Sequence, residues 1–129
     1  YIERTHVLTT ATPAPVTGFS YEVVTDAKAQ EKGLGGRTDI PHDYGMLFVF
    51  KEPSAPGFWM KDMQTSIDII WIAEGGMILS IDANIAPETY PKVFYPPAPV
   101  RYVLETRAGE AARQGWKPGS TVTLPSSQK

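Results

Sequence analysis

Alternation of apolar and polar residues sets most of the expected architecture. Gly18–Thr25 (GFSYEVVT) places Phe19, Tyr21 and Val23 on one face, the period-2 signature of a half-buried strand. Met46–Phe50 (MLFVF) is a continuous apolar run, short enough to be a strand covered on both faces. Phe58–Met63, Ile67–Ala73, Met77–Ala83 and Val100–Glu105 predict four more strands, with Gly75-Gly76 as a tight hairpin between Ala73 and Met77. Thr5–Thr10 and Thr121–Leu124 add short strands at the two ends. Helical patterning is confined to two short stretches. Asp26 is positioned to cap a helix through Lys28–Lys32 that Gly33 ends, and Thr106 to cap one over Ala108–Gln114 that Gly115 ends.

About eight short strands and two short helices, with no repeated βα unit, point to a mainly β (α+β) fold. The expected form is a compact antiparallel β-sandwich or small barrel. The 129 residues suit one domain over 1–129, with no linker or internal repeat. Twelve prolines mark loops and edges, because proline is excluded from helix interiors and central strands. Five of them fall between Pro87 and Pro99, interleaved with Tyr90, Phe94 and Tyr95, which predicts a long ordered loop or an edge segment.

Composition narrows the chemistry. Twelve lysines and arginines against fourteen aspartates and glutamates leave a formal net charge of −2, which gives no electrostatic reason to expect nucleic acid. No apolar run approaches the roughly 18 residues of a membrane span, so no transmembrane segment is expected. With no cysteine, disulfides, thiolate nucleophiles and cysteine-based zinc sites are excluded. His6 and His42 show no metal-ligand spacing, and Asp82, Asn84 and Glu88 follow no calcium-loop pattern. No cofactor, metal or catalytic constellation is therefore expected. Gly33-Leu34-Gly35-Gly36 lacks the lysine and hydroxyl ending of a phosphate loop and reads as a helix stop and turn. The start at Tyr1, without a methionine, leads us to expect a removed preceding segment, either a signal peptide or a cloning boundary.

The linked blocks GMLFVF (45–50), FWMKDM (58–63), IDIIWI (67–72), YPPAPVRYVLE (95–105) and GWKPG (115–119) resemble the bacterial and archaeal family known as domain of unknown function 192. The resemblance covers roughly Phe19–Leu124. This chain has Asp62 where many members carry asparagine, and Ser66 where they carry proline. The resemblance implies a β-rich fold and an exported, periplasmic or membrane-adjacent location, although a cytoplasmic one suits the same sequence. It implies no activity.

A few polar residues break the strand pattern. Asp68 shares a face with Ile70 and Ile72, where an isolated carboxylate is costly unless paired. Lys61 would share a strand face with Trp59 and Met63, and Arg101 and Glu105 share one with Val103. Arg101 and Glu105 lie roughly 13 Å apart along an extended strand and cannot pair. One reading gathers Trp59, Lys61, Asp68, Arg101 and Glu105 around a cleft, lidded by the loop carrying Tyr90 and Tyr95. There, the cations and the indole face would hold a small polar or anionic ligand or a cell-envelope polymer. The other reading is a buried Asp68–Arg101 or Asp68–Lys61 pair fixing strand register, with Phe48, Phe50, Phe58 and Trp71 as core. For the whole chain, a binding module leads. A protein-interaction domain using Tyr90–Pro99 comes next, and then a hydrolase with Asp68 and Glu105 as paired carboxylates.

Overall fold

The central strand of the main sheet is Val100–Arg107 (β7), and the order around it explains where the core lies. The computed structural model describes residues 19–124. In chain order its strands are β1 (Ser20–Val24), β2 (Tyr44–Ser54), β3 (Phe58–Trp59), β4 (Ile67–Ile72), β5 (Ile78–Ile85), β6 (Val93–Phe94) and β7. Two helices interrupt them, α1 (Ala27–Lys32) and α2 (Glu110–Gln114). The main sheet runs β1-β2-β7-β4-β5, and β3 pairs with β6 in a separate two-stranded ribbon.

The mainly β, α+β class expected from patterning is what the chain adopts, as an open sheet and not a closed barrel. The expected strand at Thr5–Thr10 lies outside the described residues. Thr121–Leu124 provides one isolated bridge, Thr121 to Met77, and no strand. One pairing departs from the antiparallel expectation: β1 runs parallel to β2. Parallel neighbours need a crossover, and the chain from α1 through Asp43 supplies it.

The strand alternation read from the sequence divides the sheet as expected. Phe48, Ile69, Trp71 and Val103 belong to one buried cluster. Leu47, Ile70, Ile72 and Leu104 belong to the other, beneath Ala111 and Val122. Asp26 caps α1 as predicted, accepting from the Ala29 N–H at 3.0 Å, and Gly33 ends the helix at φ 50°. The second helix is a correction. It starts at Glu110 behind Gly109, and Thr106 stays within β7. The cap comes from a distant strand, because Asp68 on β4 accepts hydrogen bonds from the Gly109 and Ala111 N–H groups.

Candidate functional site

Glu105 on β7 is opposite Met46 on β2 and Ile69 on β4, on the face that also carries Phe48 and Trp71. It is 5% exposed, an acid in the middle of an apolar layer. After Gly33 the chain turns over this position and brings the Leu34 backbone N–H to the carboxyl, where it favours the ionised form. Oε1 has no hydrogen-bond partner among the described residues. Gly33 is suited to its place twice over. Its positive φ favours glycine, and a Cβ there would stand 3.3 Å from Glu105 Oε1 and 3.4 Å from the Phe48 ring.

Above the carboxyl opens a cleft of about 740 Å³. One wall is α1 and the Gly33–Gly36 turn. The other is Phe58, Trp59, Lys61, Asp62 and Met63, with Phe48 and Phe50 from β2 between them. The Gly36 N–H bonds to the Asp62 carbonyl at 2.9 Å and ties the walls together. Phe58 stacks edge-to-face on Phe48 and on Trp71, with centroids 5.0 and 5.6 Å apart. Lys28, Glu31, Lys32, Lys61 and Asp62 line the exposed upper part.

Burial dominates the titration of Glu105. It pushes the carboxyl up to about 8, and the Leu34 N–H opposes it only in part. At neutral pH the floor of the cleft is therefore a neutral carboxylic acid, able to donate a proton in a hydrogen bond. Such perturbed groups in clefts are characteristic of functional sites.

The cleft gathers Trp59, Lys61 and Glu105 and leaves out the other two strand-derived candidates. Asp68 is fully buried on the opposite face. Its carboxylate accepts from the backbone N–H groups of Asn84 (2.9 Å), Gly109 (3.1 Å) and Ala111 (3.0 Å). It pairs with neither Arg101 nor Lys61, because both are on the other side of the sheet. Asp68 and Glu105 are likewise separated by the sheet, so they form no paired-carboxylate site. Arg101 donates from Nε to the Phe50 carbonyl and from Nη1 to Glu74 at 3.1 Å, outside the cleft lining. Glu74 is largely exposed, so that ion pair adds little, and the bond to a half-buried carbonyl carries the rest. An Arg101→Ala variant is expected to lose about 2 kcal/mol in urea denaturation. It should retain whatever affinity the cleft has.

Lys61 reaches the cleft by another route than strand alternation. The strand ends at Trp59, and Met60–Met63 form a turn with Asp62 at φ 63°. Tyr90 leans on Trp59, ring centroids 5.0 Å apart, and neither Tyr90 nor Tyr95 lines the cleft. Trp59, Tyr90, Val93 and Tyr95 form an exposed rim beside it. Sequence reasoning assigned Phe48, Phe50 and Phe58 wholly to the core and Gly33–Gly36 to a turn, and all of these line the cleft. The missed signal was the doubled role of those glycines. They end a helix and also leave room over a buried acid.

Two other polar clusters are internally satisfied. Glu22 accepts from Tyr44 and, at 3.3 Å, from Arg37. Buried Glu110 accepts from the Asp43 N–H, Arg113 and Gln114 and contacts His42. Among the described residues no group of three or more His, Cys, Asp or Glu could hold a metal ion, and no helix is long and apolar enough to cross a membrane.

The family model DUF192, described as "Uncharacterized ACR", matches residues 8–124. A crystal structure from Sinorhizobium meliloti 1021, described as a candidate transcription regulator, is 35% identical, with TM-score 0.76 over 80% of this chain and 79% of that one. A protein of unknown function from Novosphingobium aromaticivorans DSM 12444 is 33% identical, with TM-score 0.75 over 80% of this chain and 73% of that one. No curated protein matches.

Proposed function

Since the chain belongs to the DUF192 family, whose description assigns no activity, we propose a function from the cleft itself: binding of a small polar ligand. The observation that carries this reading is Glu105 Oε1, buried without a partner among the described residues at the floor of an aromatic-walled cleft. A buried polar atom left unsatisfied costs about 1–3 kcal/mol, and a ligand that satisfies it recovers that energy as affinity. Aromatic walls with a few convergent polar groups are the usual make-up of a small-molecule site.

A thermal-shift screen against anions, sugars, nucleotides and cell-wall fragments tests the reading. A ligand at about a hundred times its Kd adds roughly 2.7 kcal/mol of stability, a rise of several degrees for a domain of this size. The expected hit is weakened by Glu105→Ala and by Lys61→Ala and unaffected by Arg101→Ala. A flat screen of well-folded protein would reject the reading.

The exposed rim of Trp59, Tyr90, Val93 and Tyr95 favours a second reading, a protein-interaction surface. In that case the rim substitutions Trp59→Ala and Tyr95→Ala would abolish partner binding while Glu105→Gln would not. A regulatory role like the one in the description of the Sinorhizobium relative would suit either reading.

A further inference from the structure

We propose that the cleft takes a ring compound seated with a neutral hydrogen-bond acceptor against Glu105 and an anionic substituent toward the lysines at the mouth. This rests on reading the cleft as a ligand site and supplies that ligand's chemistry.

The deep end fixes the acceptor. The group the protein presents to the Glu105 carboxyl is the Leu34 N–H, a donor, which is best accepted by the carbonyl oxygen of a neutral acid. The proton then belongs on the oxygen left without a partner, Oε1, and the floor offers an O–H donor. A ligand must bring an acceptor to it. That acceptor is neutral, because a negative charge at this depth would be desolvated among Phe48, Phe58 and Met63, with no cation beside it among the described residues. A carbonyl, hydroxyl or ether oxygen or a ring nitrogen meets the requirement.

The middle of the cleft fixes the ring. Phe50, Phe58 and Trp59 supply aromatic surface on the approach to Glu105, which suits the flat face of a heteroaromatic ring or the C–H face of a sugar. The mouth fixes the charge. Three lysines, Lys28, Lys32 and Lys61, stand there against two carboxylates, Glu31 and Asp62. With the floor neutral, the described lining residues carry more positive than negative charge. Phosphate contact through the Gly33–Gly36 turn is not part of the arrangement, since the N–H groups of Gly33, Gly35 and Gly36 bond to the carbonyls of Ala29, Lys32 and Asp62.

Binding should also follow the protonation of Glu105, which on ionising ceases to donate and repels an acceptor. Among the described residues, the charged and titratable groups on the elements packed around it are few. Lys28, Glu31 and Lys32 come from α1, and Lys61 and Asp62 from the turn after β3. Along the same sheet face stand Glu22 with Arg37 and Tyr44, and Asp82, which accepts from Trp71 Nε1. Arg101 and Arg107 share that face at either side of Glu105 on β7. A Glu105→Gln variant keeps a neutral donor at the floor and leaves all of these in place.

Isothermal titration at pH 7 and pH 9.5 tests the proposal with two matched pairs, adenosine 5′-monophosphate against adenosine and glucuronate against glucose. In at least one pair the anionic member should bind about fivefold or more tightly than the neutral one, a preference that Lys61→Ala reduces. Wild-type affinity should fall about thirtyfold at pH 9.5, following the share of Glu105 still protonated, and Glu105→Gln should abolish that dependence. Which pair responds tells a nucleotide from a sugar acid. Neutral members binding as tightly as anionic ones would overturn the assigned ligand class while leaving the cleft a binding site. Affinity independent of pH would overturn the donor role of Glu105. No binding by any of the four compounds would overturn this proposal, while the binding reading beneath it stands or falls by the thermal-shift screen.

Discussion

A Glu105→Gln variant should match the wild-type protein in stability near pH 4.5 and exceed it by roughly 4 kcal/mol above pH 8. The direction follows from where the proton sits. Below pH 4.5 the side chain is protonated in both the folded and unfolded chains. Between 4.5 and about 8 the unfolded chain releases the proton while the buried carboxyl keeps it, so rising pH favours unfolding. Above about 8 the folded protein must ionise as well, and the loss levels off. Glutamine has nearly the same shape, stays neutral and escapes this penalty at every pH. Urea denaturation of both proteins from pH 4 to 9 checks the expectation. Parallel curves would mean that Glu105 ionises without cost, as a solvated carboxylate does. The gain also carries a functional meaning. A residue that lowers stability at neutral pH, where an amide would not, is better explained by the cleft than by the scaffold.

The second large effect lies across the sheet. Asp68→Ala should lose about 4 kcal/mol or more, because three backbone N–H groups then lose their acceptor in a fully buried position. One carboxylate joins β4 to β5 at Asn84 and to the start of α2, a helix of five residues with no side-chain cap of its own. Calorimetry should show a fall in Tm of about 10 °C or more. Asp68→Asn keeps one carbonyl acceptor and should lose about half as much. A loss below about 1 kcal/mol in the alanine variant would show that water serves those amides equally well.

Strand alternation alone makes the two sheet faces legible. Ile67–Ile72 and Tyr102–Glu105 sort their side chains as the period of two requires, and Asp26 and Gly33 bound α1 as their chemistry predicts. The need of Asp68 for a partner is legible too, but the partners are not. They are backbone groups 16, 41 and 43 residues away, and no side-chain pattern marks them. Glu105 is identifiable as an acid on an apolar face. Its isolation depends on facing Met46 and Ile69 in register, which is a property of pairing and not of one strand. Phe48, Phe50 and Phe58 read as core because an aromatic cleft wall and an aromatic core use the same residues. The parallel β1–β2 pair is hidden for a similar reason, since a short strand looks alike in either direction.

The central claim is that a protonated acid forms the floor of the cleft, and the ¹³C carboxyl resonance of Glu105 reports on it directly. Titrated by NMR in the free protein, that resonance should move with a midpoint near 8, and addition of a binding ring compound should raise the midpoint further. A midpoint near 4.5 would contradict the account. It would make Glu105 an ordinary solvated carboxylate and remove the donor on which the cleft's proposed chemistry is built.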